Sequence, residues 1–230
     1  MKGELWGMRI LSALTFAMLL VATPPVYAQD SLGEAYVGVR AIGSIAAMDD
    51  IDTTGFTGSQ DIENDTDEVG GVGIIAGFRW ADIPLRTEVE ASYRFRFDLD
   101  ARDNGPPAVT YESNVETINV LFNALLEWRN DSDFTPFIGG TIGWARNSSD
   151  TTRIDVPSQA RTSEKTDSDN LAWGGMAGVD WHFAESWSVE LAYRYIDLGE
   201  VDGGSFAAGD GIEADHYASH EALLSFSYRF

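Results

Sequence analysis

The chain has 230 residues, with 15 Lys and Arg against 37 Asp and Glu, a formal net charge of −22 and no cysteine. Such acidity argues against nucleic acid as a partner. The missing thiols exclude a disulfide framework and thiolate chemistry. The chain opens with the basic residues Lys2 and Arg9, an apolar run from Ile10 to Ala22, a break at Thr23-Pro24-Pro25, and the small-residue stretch Val26-Tyr27-Ala28. This layout predicts a secretory signal peptide over 1–28, cleaved before Gln29, with Met8 as a second candidate start. The apolar run is shorter than the roughly 20 residues a spanning helix needs. Residues 29–230 read as one domain, with no later apolar stretch long enough for a transmembrane helix.

Eight strands follow. The first is read over 35–47, with Val37, Val39 and Ala41 on one face and Tyr36, Gly38 and Arg40 on the other. The second, over 69–80, sets Val72, Ile74, Ala76, Phe78 and Trp80 against glycines and Arg79. The third, from Arg86 to Leu99, has the sharpest contrast. Its even positions are Arg86, Glu88, Glu90, Ser92, Arg94, Arg96 and Asp98, and its odd positions are nearly all apolar. Side chains alternate across a strand, so one face is ionic and the other greasy. The fourth (115–128), fifth (135–146), sixth (171–183), seventh (187–198) and eighth (216–230) repeat this pattern. On the fifth, Ile138, Ile142 and Trp144 are placed outward.

The connections alternate in length. Segments 81–84, 130–133 and 184–186 are short, whereas 48–68, 99–114, 147–170 and 199–215 are long and polar. A membrane barrel has this rhythm, with short periplasmic turns and long outer loops. Outside the signal, Trp80, Trp128, Trp181 and Trp187 fall near the short turns, and Trp144 and Trp173 fall near the other end. Aromatic rings collect at the two membrane interfaces. The expected fold is therefore an all-β, eight-stranded antiparallel up-and-down transmembrane barrel with both termini periplasmic.

A barrel of eight strands is just wide enough for side chains to fill it. On the facing above, its lumen receives Arg40, Arg79, Arg86, Arg94, Arg96, Arg194 and Arg229, together with Glu88, Glu90, Asp98, Glu127, Asp180, Glu190 and Glu221. Buried charges must pair, so the expectation is an interlocking plug. A small-solute channel is the alternative. Asp180, His182 and Glu190 also form a conceivable acid–base group, for which a satisfied lumen histidine is the simpler reading.

The acidic surplus lies in the long segments. Asp49, Asp50, Asp52, Asp61, Glu63, Asp65, Asp67 and Glu68 crowd 48–68, and Glu200, Asp202, Asp210, Glu213 and Asp215 follow in 199–215. The run from Asp61 spaces carboxylates like a calcium loop. It has Thr66 where the sharp-turn glycine belongs and Val72 where the bidentate glutamate belongs. Loose divalent binding by a solvated loop is expected there, without a specific metal site. Segments 147–170 and 199–215 read as mobile. His216, Ser219, His220 and Glu221 lie close in sequence, but strand parity separates the histidines from Ser219 and Glu221. No catalytic group, cofactor site or metal site is expected.

The segments "AYVGVRAIG", "FTPFIGGTIGWARN", "ESWSVELAYRYIDLG" and the closing "HEALLSFSYRF" resemble the eight-stranded outer-membrane β-barrel family, which includes the opacity-type surface proteins and the barrel of outer-membrane protein A. The resemblance implies a cell outer-membrane location, contact with outer-membrane lipid and lipopolysaccharide, and handling by the barrel-assembly machinery. Phe226, Tyr228 and Phe230 match the family's assembly signal. The peptidoglycan-binding domain of full-length outer-membrane protein A has no counterpart in the resemblance, so no wall tether is expected. The implied role is structural or surface-interactive, adhesin- or opacity-like, with a host or surface ligand held by segments 48–68, 147–170 and 199–215. A minor porin is the alternative. A lipid-modifying enzyme of the outer membrane ranks below it.

Overall fold

The computed structural model describes residues 32–63, 65–105, 108–206 and 209–230. The predicted signal at 1–28 lies outside them. The strands are β1 (Gly33–Thr54), β2 (Gln60–Glu63), β3 (Thr66–Trp80), β4 (Leu85–Asp103), β5 (Val109–Glu127), β6 (Phe134–Asp155), β7 (Arg161–Ala184), β8 (Trp187–Asp197), β9 (Val201–Ser205) and β10 (Gly211–Arg229). The sheet runs β1-β3-β4-β5-β6-β7-β8-β10, and β10 pairs back onto β1. Every neighbour is antiparallel, so eight staves close an up-and-down barrel. The two short strands sit outside this path, β2 on β4 and β9 on β10.

The outer wall is apolar. Val39, Val72, Ile74, Val89, Val120, Phe122, Ile142, Leu191 and Leu224 are all exposed. A continuous belt of this kind is far larger than a soluble surface tolerates, and lipid is the solvent that suits it. Trp80, Trp128, Trp181 and Trp187 are exposed at the short-turn edge, Trp144 and Trp173 at the opposite edge. Trp187 stacks on Phe226 at 4.9 Å, and Tyr228 meets Phe230 edge-on at 5.3 Å.

The inward and outward faces are those read from the alternation, with one exception. In β4, Arg94 lies opposite Thr117 and Phe97 opposite Val115, so Phe95 and Arg96 together face the single residue Glu116. This β-bulge inverts parity for the rest of the strand. Phe97, Leu99 and Ala101 turn inward and are buried, while Arg96 and Asp98 turn outward and are exposed. The placement of Arg96 and Asp98 in the lumen is thus corrected.

The long segments also differ from expectation. β1, β4, β5, β6 and β7 all run well past their predicted ends, so that most of 99–114 and 147–170 is paired strand. The mobile loop expected at 147–170 is a β-arm with its tip near Val156–Ala160. The barrel wall thereby continues beyond the apolar belt and encloses a second interior. Its filling is mainly apolar: Met48, Val69, Phe97, Leu99, Tyr111, Val115, Leu121, Ile196, Leu198, Phe206, Ile212 and Tyr217 form one buried cluster, beside a bonded set of Ser113, Ser149 and Thr151.

Candidate functional site

The interior at the level of the apolar belt is mainly ionic, with Ile42, Leu125, Phe137, Met176, Ala192 and Leu223 as a small apolar cluster beside the charges. Arg40 on β1 donates from Nε to Ser225 Oγ at 2.9 Å and from Nη2 to Glu190 Oε1 at 2.8 Å. Its Nη1 bonds Glu90, and Glu88 lies 3.5 Å away. Arg194 on β8 donates to Glu221 Oε2 at 2.7 Å and to both oxygens of Glu90 at 2.9 and 3.1 Å. Arg94 reaches Glu221 Oε1 at 2.7 Å. Arg86 bonds Glu190 and approaches Asp180 at 3.4 Å, with its guanidinium 4.5 Å above the Phe137 ring. Nearest the short turns, Arg79 pairs with Glu127 at 2.9 Å and Asp180 at 2.8 Å.

Neutral side chains add donors to Glu88 and Glu90, while Asp180 Oδ1 is left buried without a hydrogen-bond partner. Tyr36 donates to Glu88 at 2.5 Å, Asn123 donates to the same carboxylate at 3.2 Å, and Ser92 donates to Glu90 at 2.9 Å. Arg40, Arg86, Arg94 and Arg194 are each buried, as are all six carboxylates. A guanidinium presents a fixed fork of donors, which is why arginine rather than lysine fills this space.

The structure brings together Arg40, Arg79, Arg86, Glu88, Glu90, Arg94, Glu127, Asp180, Glu190, Arg194 and Glu221. It leaves out Arg96 and Asp98, for the reason given above. Arg229 is also outside the network. It sits at the periplasmic rim, paired with Glu34 at 3.1 Å and bonded to the Glu185 carbonyl. Five arginines would then face six carboxylates. Arg129, which follows β5 in a short turn, supplies the sixth cation at 3.1 Å from Glu127. Its turn position hid it from strand parity. Tyr36 and Ser225 lie on the inward face, but their bonds to Glu88 and to Arg40 could not be read from parity.

The network has little chemistry to offer. Asp180 Oδ2 lies 3.3 Å from His182 Nε2, but the same oxygen takes Arg79, and Arg79 Nη1 lies 2.6 Å from that histidine nitrogen. Glu190 is held by Arg40, Arg86 and Ser225. Each carboxylate is paired with at least one guanidinium, which holds it ionised rather than poised to exchange a proton. Ser219 is fully buried, and His220 lies outside the wall with its Nδ1 2.6 Å from Tyr193 Oη. They cannot act on one substrate.

Above the belt, the four arms are fastened to one another. Tyr111 and Arg153 both donate to Asp210 Oδ2, Arg153 at 2.7 Å, and Phe56 stacks on Tyr111 at 5.1 Å. Burial pushes the Asp210 carboxyl up, but the bonds from Tyr111 and Arg153 outweigh it and hold the group below its ordinary value. Burial and Asp210 raise the Tyr111 phenol well above its own. Asp103 accepts backbone N–H bonds from Thr57 at 2.9 Å and from Gly58 and Gly105 at 2.8 Å. These bonds, Thr57 first, keep its carboxyl low. In the run read against a calcium loop, Asp67 Oδ1 accepts the Glu68 N–H and Oδ2 accepts the Asp98 N–H. Among the described residues no group of three or more His, Asp or Glu is placed to hold a metal ion.

Three comparisons place this geometry. Outer membrane protein PagN of Salmonella typhimurium is 24% identical over 218 residues, covering 89% of this chain and 90% of that protein. An uncharacterised protein of Brucella suis is 30% identical over 154 residues, covering 59% of this chain and 52% of that one. The crystal structure of outer membrane protein OprG from Pseudomonas aeruginosa superposes with a TM-score of 0.53 at 14% identity, covering 87% of this chain and 97% of OprG, a likeness of fold alone. Residues 14–230 match the outer membrane protein beta-barrel domain. With its closed sheet, lipid-suited wall and periplasmic turns, the chain belongs to that outer-membrane β-barrel family.

Proposed function

We propose that the protein is a sealed barrel that holds its arms at the cell surface for interaction with a partner. The observation that carries this reading is the packed interior. Near the periplasmic mouth, the cavity bounded by Tyr36, Arg79, Arg86, Asp180, His182 and Glu190 has a volume of about 10 Å³. That is room for about one water. A solute path would have to cross both this ionic layer and the apolar cluster above it. The plug therefore serves the wall, and the interacting surface is the arms.

The arms give the surface its sign. Asp52 on β1, Glu213 on β10 and Asp202 on β9 stand directly opposite one another. Like charges so paired repel and favour a partner bearing positive charge. No enzymatic role is proposed, since histidine, serine and carboxylate do not converge. Phe226, Tyr228 and Phe230, exposed on the last strand, are proposed to act in assembly.

Planar-bilayer recording of the refolded protein tests the seal. No stepwise conductance is expected. Steady steps in wild type would replace the sealed barrel by the porin reading. Lipid A from cells with and without the protein should be identical, and a missing acyl chain would establish an enzyme.

A further inference from the structure

The outer wall carries a groove of about 640 Å³ where β3, β1, β10 and β8 meet, lined by Gly43, Ile45, Glu68, Gly70, Tyr193 and His220 among others. Its floor is backbone. Gly43 pairs with Gly70 on one side and Ala222 on the other, and Ala222 pairs with Tyr193. A Cβ built on Gly43 would meet nothing within 4 Å, and one built on Gly70 would come within 3.1 Å of the Phe95 ring. The Phe95 ring stands beside Gly70 at one edge, and Tyr193 with His220 walls the other side.

The next row up is Glu68, Ile45, His220 and Tyr195. His220 stands ten residues before Phe230. Ten residues of strand tilted about 40° rise roughly 25 Å, the height of a barrel's apolar band. The groove therefore lies inside the outer edge of that band, with His220 at headgroup level.

The polar end of the groove has a histidine. His220 Nδ1 is engaged by Tyr193 Oη at 2.6 Å. With the phenol donating to Nδ1, or with the imidazole charged, Nε2 carries an N–H and calls for an oxygen acceptor. A neutral imidazole donating from Nδ1 would instead leave Nε2 an acceptor; the phenol-donating state is the one an acceptor ligand requires. The exposed Glu68 carboxylate on the same groove disfavours an anionic phosphate and tolerates a neutral carbonyl. The groove is also continuous with the lipid-facing belt below it, where Val72, Ile74 and Leu224 are exposed.

We infer that this groove is a lipid site: it seats one acyl chain of an outer-leaflet lipopolysaccharide, with the carbonyl of the acyl linkage accepting a hydrogen bond from His220 Nε2. The inference rests on the barrel's place in the membrane and not on the surface role of the arms.

The test uses full-length mature protein refolded in detergent with purified lipopolysaccharide or with phosphatidylglycerol, and reads bound lipid per barrel by native mass spectrometry. Gly43→Leu fills the groove from a position with free space, so folding is retained. His220→Ala removes the donor together with the ring that helps wall the groove. Wild type should keep one lipopolysaccharide per barrel, Gly43→Leu should keep at least tenfold less, and His220→Ala several-fold less. Equal retention by wild type and Gly43→Leu would overturn the site. Equal retention of phosphatidylglycerol by wild type would overturn the outer-leaflet assignment. A wild-type dimer that Gly43→Leu makes monomeric, with no lipid held, would give the groove to a second copy of the chain.

Discussion

The two interiors of this barrel solve one packing problem in opposite ways. Between the membrane interfaces, arginines and carboxylates dominate the lumen, beside a small apolar cluster of Ile42, Leu125, Phe137, Met176, Ala192 and Leu223; beyond the outer interface, Phe97, Leu99, Tyr111 and their neighbours dominate it. The lower filling is tightly coupled. Arg40, Arg79, Arg86 and Arg194 each offset two or more carboxylates, so removing one of them leaves several charges short of a partner in a dry space. The upper filling is graded, because an apolar side chain loses only its own area and the cavity it leaves. The difference shows that a narrow barrel needs a full interior but no particular chemistry, provided that each filling is internally complete.

The bulge at Phe95 and Arg96 divides the two, and deleting both residues breaks the comparison outright. Phe97 would then follow inward Arg94 directly, turning Phe97 and Leu99 outward and Asp98 inward, whereas deleting Arg96 alone would only regularise the strand. At about 1.5–3 kcal/mol per side chain, the arms would lose roughly 3–6 kcal/mol. Limited proteolysis should then cut 99–114 and 147–170 while the lower barrel keeps its heat-modifiable gel mobility. Uncut arms would show that the bulge does not set the upper core.

Within the lower interior, Arg40→Met should cost about 3–5 kcal/mol, since three carboxylates, Glu88, Glu90 and Glu190, lose a shared cation at once. Arg94→Met should cost less, about 1–3 kcal/mol, because only Glu221 loses one and it keeps Arg194. Urea unfolding in detergent micelles measures both, and equal losses would deny the network its hierarchy. In the upper interior, Leu99→Ala should cost about 2–3 kcal/mol with no change in the lower barrel. A loss as large as that of Arg40→Met would erase the distinction between the two fillings.

The smallest effect concerns the arm latch. The Asp210 carboxyl is held low by Tyr111 and Arg153 against the opposing effect of burial. A depressed folded-state value adds stability that is fully present above the unfolded value near ~3.9 and is lost as pH falls through the folded one. Arm cleavage by pepsin should therefore rise as pH is lowered from about 4. Asp210→Asn should cost about 1–2 kcal/mol at neutral pH and flatten that rise. An unchanged pH profile in the variant would assign the opening to other carboxylates.

Much of the barrel was legible in the chain because lipid enforces contrast. Val120 and Phe122 must be apolar where Asn119 and Asn123 must not, and the period of two follows. The arms were illegible because water relaxes that demand. Ser149 and Thr151 are buried inward, yet between Ser148, Asp150 and Thr152 they leave no hydrophobic signal. The bulge was hidden for a related reason. Arg94, Arg96 and Asp98 continue an ionic period smoothly, and only the pairing of Arg94 with Thr117 and Phe97 with Val115 reveals the slip. The ion-pair partners were unreadable in principle, since Arg40 meets a carboxylate 150 residues away.

The seam that closes the barrel has a kinetic consequence. β1 pairs with β10 from Tyr36 opposite Arg229 to Thr54 opposite Gly211, and the Phe230 N–H reaches the Ala35 carbonyl. The first stave to leave the export channel must wait for the last before its free edge is satisfied. Until then two unpaired edges face the membrane, where an open backbone is most costly. Contacts of such sequence separation also make closure slow. Partial barrels therefore have no resting place in the bilayer, and insertion should be rate-limited by arrival of the final strand, with the long arms zipping up only after the ring is shut.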